Sequence, residues 1–270
     1  MYKQLKNYMG IGLLILGLLS INGCSKSNDS EEDTPTVPVE FKTFKETVNG
    51  VSFEMVAVKG GSFMMGSNDG NDDEKPVHRV TVSDFYMGKT EVTQALWKAV
   101  MGNNPSYYKG DNLPVEQVSW DDAQEFIKEL NRLTKKKYRL PTEAEWEFAA
   151  GGGSTNRTKW AGTDVESSVG NYAWYYSNSG YQTHDVATKL PNSLGLYDMS
   201  GNVWEWCNDW YGDYSANDQE NPIGPSSGSY RVVRGGSWDY VLSDCRVAGR
   251  YGIRPVGRND DLGFRLSLVP

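Results

Sequence analysis

Three cysteines, two histidines and a deficit of basic residues set the first limits on this 270-residue chain. His78 and His184 are far apart in sequence, so neither an HxxxH pair nor a three-histidine centre can be built. The formal charge is −8, from 35 acids against 27 bases. Without a stripe of Lys and Arg to neutralise phosphates, nucleic acid is not an expected partner. Long apolar runs are also missing. The longest, Ile11 to Leu19, is interrupted by Gly12 and Gly17 and is too short for a spanning helix. There is no fixed-period repeat. What the chain does have is 29 Gly, 16 Tyr and 9 Trp, within an otherwise globular composition.

Residues 1–23 carry Lys3 and Lys6, then the apolar run, and no acid, which is the pattern of a secretory signal. It ends Ser20-Ile21-Asn22-Gly23-Cys24, and a small residue directly before a cysteine resembles a bacterial lipobox. Cleavage before Cys24 and lipidation of its thiol would tether the protein to a membrane in the bacterial cell envelope. Residues 24–41 read as a flexible tether, with five acids, one lysine and two prolines between residues 25 and 40.

Residues 42–270 read as one domain. Val51 to Val58 alternates, turns at Gly60-Gly61 and is followed by Ser62 to Gly66, which predicts a β-hairpin. Arg79 to Met87 predicts a further strand. Ser119 to Leu133 places Ala123, Phe126, Ile127 and Leu130 at helical spacing behind an N-capping serine. Thr142 and Glu145 form a T-x-x-E capping box that opens a second helix, stopped at Gly151-Gly152-Gly153. A third short helix is predicted from Thr93 to Met101. Beyond residue 151 Gly, Asn, Trp and Tyr dominate, and long ordered loops are expected.

Several segments together are similar to the formylglycine-generating enzyme (sulfatase-modifying factor) family. They include Phe63-Met-Met-Gly66, Glu74-Lys-Pro-Val-His78, Pro114 to Trp120, Tyr138 to Ala150, Asn192 to Trp206, Arg234-Gly-Gly-Ser-Trp238 and Leu262-Gly-Phe-Arg265. The resemblance covers nearly all of residues 50–267. It implies an α+β, loop-rich fold of the C-type-lectin-like kind, with bound calcium. It also implies oxidation of a sulfatase cysteine to formylglycine with molecular oxygen and copper(I). Copper(I) is soft and favours two thiolates, which the family supplies as GGSxxCxxxxC.

In this chain the motif's serine is Ser237 and its second cysteine is Cys245. Tyr240 stands at the first cysteine and Val241 at the neighbouring family histidine. The catalytic assignment by resemblance is therefore Ser237 and Cys245, with the copper(I) pair half built. Cys207 and Cys245 are also candidates for a disulfide in an exported domain. A rearranged dithiol and a pair of free buried thiols are the alternatives.

By the same resemblance, Asp198, Gly201, Val203 and Glu205 correspond to one calcium loop. Asn171, Tyr172, Asn178 and Gly180 correspond to a second, with an amide at Asn178 where the family carries a carboxylate. The histidines read as framework residues. Asp72, Asp73 and Glu74 read as a solvated acidic loop. The aromatic residues from Tyr172 to Tyr181, with Trp204, Trp206, Trp210 and Trp238, are expected mostly in the core, a few lining a cleft for a protein, peptide or glycan. Two functions follow: thiol oxidation, or a calcium-stabilised, lipid-anchored module that binds without catalysis.

Overall fold

The computed structural model describes residues 41–155 and 157–270. The signal, Cys24 and nearly all of the tether lie outside the described residues. Among the described residues no helix is long and apolar enough to cross a membrane.

The chain begins with strands β1 (Phe44–Val48), β2 (Val51–Val58), β3 (Gly61–Met65), β4 (His78–Val82) and β5 (Phe85–Gly88). Helices α1 (Gln94–Met101) and α2 (Trp120–Thr134) follow, then β6 (Tyr138–Arg139) and α3 (Glu143–Ala150). After a long loop region come β7 (Trp204–Trp210), β8 (Gln219–Glu220), β9 (Arg231–Arg234), β10 (Arg250–Ile253), β11 (Leu262–Gly263) and β12 (Ser267–Leu268). They form three sheets, ordered β1-β2-β5-β12-β6, β10-β9-β7-β11 and β3-β4-β8. The last strand lies between β5 and β6, so the C-terminal end closes the N-terminal sheet.

All three expected helices form. Thr93 caps α1, and Gly102 ends it in the left-handed conformation. Ser119 caps α2, which buries Ala123, Phe126, Ile127 and Leu130. Thr142 and Glu145 complete the capping box of α3.

The expected hairpin does not form. β2 pairs with β1 and β5, whereas β3 pairs with β4. The chain changes sheet at Gly60, where a Cβ would sit 2.4 Å from the Val82 carbonyl oxygen. The Asp84 carboxylate fixes this crossing by accepting from the Gly60 amide at 2.9 Å. Ser83 and Asp84 likewise divide the expected strand of residues 79–87 between two sheets. Local alternation marks extended chain but not its partner.

β7 separates two apolar clusters. Trp204 and Trp206 pack with α1, α2 and Phe264, while Cys207 packs with α3, Phe63 and Val232. Successive residues of a strand point to opposite faces, so one strand serves both.

Every residue of α3 is buried, including Glu143, Glu145 and Glu147. Each glutamate meets arginine: Glu143 meets Arg250 and Arg234, Glu145 meets Arg139, and Glu147 meets Arg157 and Arg234. Burial alone would raise the Glu147 carboxyl, but Arg157 and Arg234 hold it below the usual carboxylate range. A further pair, Glu205 with Arg265, is completely buried, with two contacts of 2.6 Å.

Removing one partner of a buried pair leaves an uncompensated charge. Arg265→Met is expected to cost ~3–5 kcal/mol in urea unfolding, with much of the loss recovered by adding Glu205→Gln. An Arg265→Met midpoint matching the parent would contradict this.

Candidate functional site

The turn that should carry the catalytic motif runs from Gly235 to Cys245. Ser237 is buried, and its hydroxyl donates to Asp261 Oδ2 at 2.8 Å. Cys245 is fully buried against Trp160, Val169 and Ala173. Its thiol fits only because residue 236 is glycine, at φ +72°, where a Cβ would lie 2.6 Å from Cys245 Sγ. Burial and the nearby Asp244 push the Cys245 thiol up to about 12, so it is protonated at neutral pH.

The disulfide is corrected by the structure: Cys207 and Cys245 are both free and buried. They belong to different apolar clusters, Cys207 beneath α3 and Cys245 beneath Trp160. Burial drives the Cys207 thiol well above its ordinary value too.

Tyr240 lies at the surface with 37% exposure and packs edge-on to Trp204, ring centres 5.3 Å apart. Around it runs a continuous aromatic surface. The Tyr176 amide donates to the Tyr240 carbonyl at 3.0 Å, and Tyr176 packs against Tyr181. Tyr108 donates to the Tyr181 carbonyl at 2.9 Å and packs on Trp238. Tyr251 lies beyond Trp204. Tyr107, Tyr176, Tyr181, Tyr240 and Tyr251 are exposed, whereas Trp204 and Trp238 are buried beneath them. Sequence reasoning expected most of the run from Tyr172 to Tyr181 in the core and a few residues at a cleft, without saying which; Tyr176 and Tyr181 are the exposed tyrosines of that run. It missed Tyr107, Tyr108 and Tyr251, which no local periodicity marks.

The Tyr107–Tyr108 corner is held by Glu116. Its carboxylate is fully buried and accepts from both tyrosine amides, at 2.9 and 2.8 Å. Burial outweighs these bonds and raises the Glu116 carboxyl to about 7.

A sulfatase-modifying factor enzyme 1-like domain profile matches residues 40–268. The chain belongs to the sulfatase-modifying factor family. It is 32% identical to the formylglycine-generating enzyme of Mus musculus over 79% of this chain and 74% of that one. It is 30% identical to the chaperone protein LppX of Paenibacillus barcinonensis over 95% and 97% of the two chains. Among solved structures, Treponema denticola variable protein 1 superposes with a TM-score of 0.81 at 38% identity, covering 87% of this chain and all of that one. The chain spans only 38% of the serine/threonine-protein kinase Pkn1 of Chlamydia pneumoniae, with which it shares 35% identity. The fold is thus the C-type-lectin-like fold of the sulfatase-modifying factors.

Against this family the calcium ligands fare unevenly. Both oxygens of Glu205 are engaged by Arg265, and one also accepts from Trp146 Nε1 at 2.7 Å, so Glu205 does not fit as a ligand. Asp198 fits better. Its Oδ2 accepts from the Ala187 amide, while Oδ1 is buried without a partner. Both oxygens of Glu91 are also buried away from any other donor, and burial with Asp198 nearby drives Glu91 well above the usual carboxylate range, so that its carboxyl donates a hydrogen bond to Asp198. Asp198 itself is raised by burial to about 6. Gly201, at φ +81°, passes so close to Trp174 that a Cβ would lie 2.0 Å from its carbonyl oxygen, and Val203 is buried.

In the second set, the Asn178 amide is committed to its own loop, accepting from Tyr175 and donating to Ala173. The Asn171 carbonyl accepts from Leu190, the Tyr172 ring packs over Gly162, and Gly180 is exposed. Among the described residues, no three His, Cys, Asp or Glu side chains are grouped to hold a metal.

The framework histidines behave as expected. His184 stacks on Trp174 at 3.7 Å, and His78 Nδ1 meets the Pro76 carbonyl. The acidic loop is corrected in one respect: Glu74 is fully buried and paired by two contacts with Arg246, distant in sequence.

Two measurements follow. In non-reducing denaturant, Cys207 and Cys245 should both react with a thiol reagent, whereas in the native domain neither should; a bonded pair would leave both unlabelled after unfolding. Glu116 binds its proton more tightly folded than unfolded, so the folded state loses stability as pH rises from about 4.5 to about 7. Asp198, Asp209 and Glu91 add slope of the same sign, so Glu116→Gln should reduce the slope of urea midpoints across the window without abolishing it, and an unchanged slope would reject the assignment.

Proposed function

We propose that this sulfatase-modifying factor relative is a lipid-anchored envelope protein that binds polypeptide on its tyrosine surface and does not oxidise cysteine. One observation carries the reading: position 240 presents an exposed phenol ring, on Trp204, where the motif requires a thiol. A phenol cannot replace a thiolate on copper(I), and the remaining thiol, Cys245, is protonated and buried. Ser237 is engaged by Asp261. The residues present therefore do not fit copper(I).

Tyrosines give large contact area at low entropic cost, with a polar tip that tolerates varied sequences. The similarity to LppX, a chaperone protein, supports a polypeptide over a glycan. Calcium enters only at Asp198 beside Glu91, where it would add stability rather than chemistry. The anchor would be Cys24, and a Cys24→Ser protein still recovered with membranes would remove that part of the reading.

Incubation with a Cys-x-Pro-x-Arg peptide, copper(I) and oxygen should leave the peptide mass unchanged; formation of the aldehyde would overturn the proposal. Reduced, carboxymethylated α-lactalbumin should bind the purified protein. Tyr240→Ala with Tyr176→Ala should weaken that binding by about tenfold or more, with the melting temperature preserved. Equal binding by the double variant would move the ligand elsewhere.

A further inference from the structure

A second site lies away from the tyrosine surface, in a cavity of ≈ 530 Å³ between β4, α3, β7 and the loop of residues 212–225. Two nearly buried polar groups line it, each with one side-chain atom bonded to the protein and one left over. His78 is 4% exposed, and its Nδ1 lies 3.0 Å from the Pro76 carbonyl. A carbonyl only accepts, so Nδ1 carries the hydrogen, which leaves Nε2 as the ring atom available to a ligand. Asp209 is 3% exposed; its Oδ2 accepts from the Glu143 amide at 3.0 Å, while Oδ1 has no partner. Residue 224 is glycine, and a Cβ there would lie 3.2 Å from Asp209 Oδ1, so the missing side chain leaves room beside this oxygen.

The surroundings select the ligand. Glu143 is already neutralised by Arg250 and Arg234, and Tyr214 donates to it. Asp213 and Glu220 are exposed, line the cavity and have no ion-pair partner. Pro222, Ile223 and Pro225 form an apolar wall. The inner acceptors, the unpaired acids and the apolar wall together match a cation on an aliphatic stem. An ammonium suits this space better than a guanidinium, being a compact group with three donors.

We infer that the His78–Asp209 cavity binds a primary ammonium group, with Asp209 Oδ1 and His78 Nε2 as its inner acceptors and the stem along Pro222 and Ile223. Lysine side chains and free aliphatic diamines share this chemistry.

The cavity also gives the binding a pH signature. Burial and Glu143 raise the Asp209 carboxyl to about 8. The titratable and charged groups around it are Glu143 and Glu145 of α3, Cys207 of β7, Arg231 of β9, Arg250 of β10, His78 of β4, and Asp213, Tyr214 and Glu220 of the loop and β8. An ammonium favours the carboxylate, so binding releases a proton below pH 8 and tightens from pH 7 to pH 9, where the amine is still charged.

The test titrates the full-length protein in detergent with cadaverine and, separately, with Nα-acetyl-lysine methylamide, by calorimetry; 1-pentanol is the uncharged control. Saturable binding of at least one amine, tighter at pH 9 than at pH 7 and absent for pentanol, is expected. The tighter of the two amines distinguishes a free diamine from a lysine side chain. Asp209→Asn and His78→Gln should each weaken binding by about tenfold. If either variant fails to fold, the surface pair Asp213→Asn with Glu220→Gln should still weaken it severalfold at low salt. No saturable binding at millimolar amine, or variants that bind like the parent, would overturn the inference. Tyr240→Ala should leave amine binding unchanged, which separates this site from the polypeptide surface.

Discussion

The fold depends on neutralising a helix that has no solvent face. α3 brings three glutamates into the interior, and four arginines meet them, two flanking the helix in sequence and two from β9 and β10. Arg234 bridges Glu143 and Glu147, and so ties β9 to the first residue and the middle of the helix. Arg250 adds β10, Arg139 adds β6, and Arg157 adds the loop that follows α3. Buried charges are tolerated only when paired and hydrogen-bonded, so these contacts leave little freedom in how the sheets meet the helix. Their value is in geometry more than in net stability, because desolvation consumes much of the Coulomb attraction.

The long stretch between α3 and β7 shows how a domain orders loops with little regular structure. Its backbone groups are met by side chains. Asn192 donates to the carbonyls of Ala149 and Ala150 at the end of α3, and Asn202 accepts from His184. The Trp174 ring is covered by His184 at 3.7 Å and by the Lys189 ammonium at 3.6 Å. Such clamps satisfy buried polar groups that a sheet would otherwise pair. They also explain the asparagine, glycine and aromatic content: amides and rings hold the loops, while glycines allow close approach.

The same scaffold separates two kinds of surface. Over Trp204 and Trp238, tyrosines project outward from loops anchored by buried tryptophans, a combination that keeps contact residues rigid without burying them. In the cavity below β4, Asp209 and His78 retain open valences because Glu143 has taken the nearby arginines. Cys207 and Cys245, by contrast, are filling groups. Their thiols are deep, protonated and in separate clusters, and nothing in the geometry asks them to react.

Local signals in the sequence determined the three helices, because caps, helical spacing and glycine stops act within a few residues. Thr93, Ser119 and Thr142 sit where their side chains can reach the third amide onward, and that chemistry is readable without a fold. The motif segments determined the family, and with it the lectin-like architecture. The substitution at residue 240 was equally plain, because a phenol is not a thiol in any fold. Strand partnership was not readable: Gly60 sends the chain to another sheet through contacts with residues 82–84. Nor was the fate of charge. Glu74 looks solvated beside Asp72 and Asp73 until Arg246 arrives from 172 residues away, and Glu205 looks free until Arg265 occupies both its oxygens. Pairing across such distances is decided by tertiary packing, because only the folded chain sets which groups lose water together.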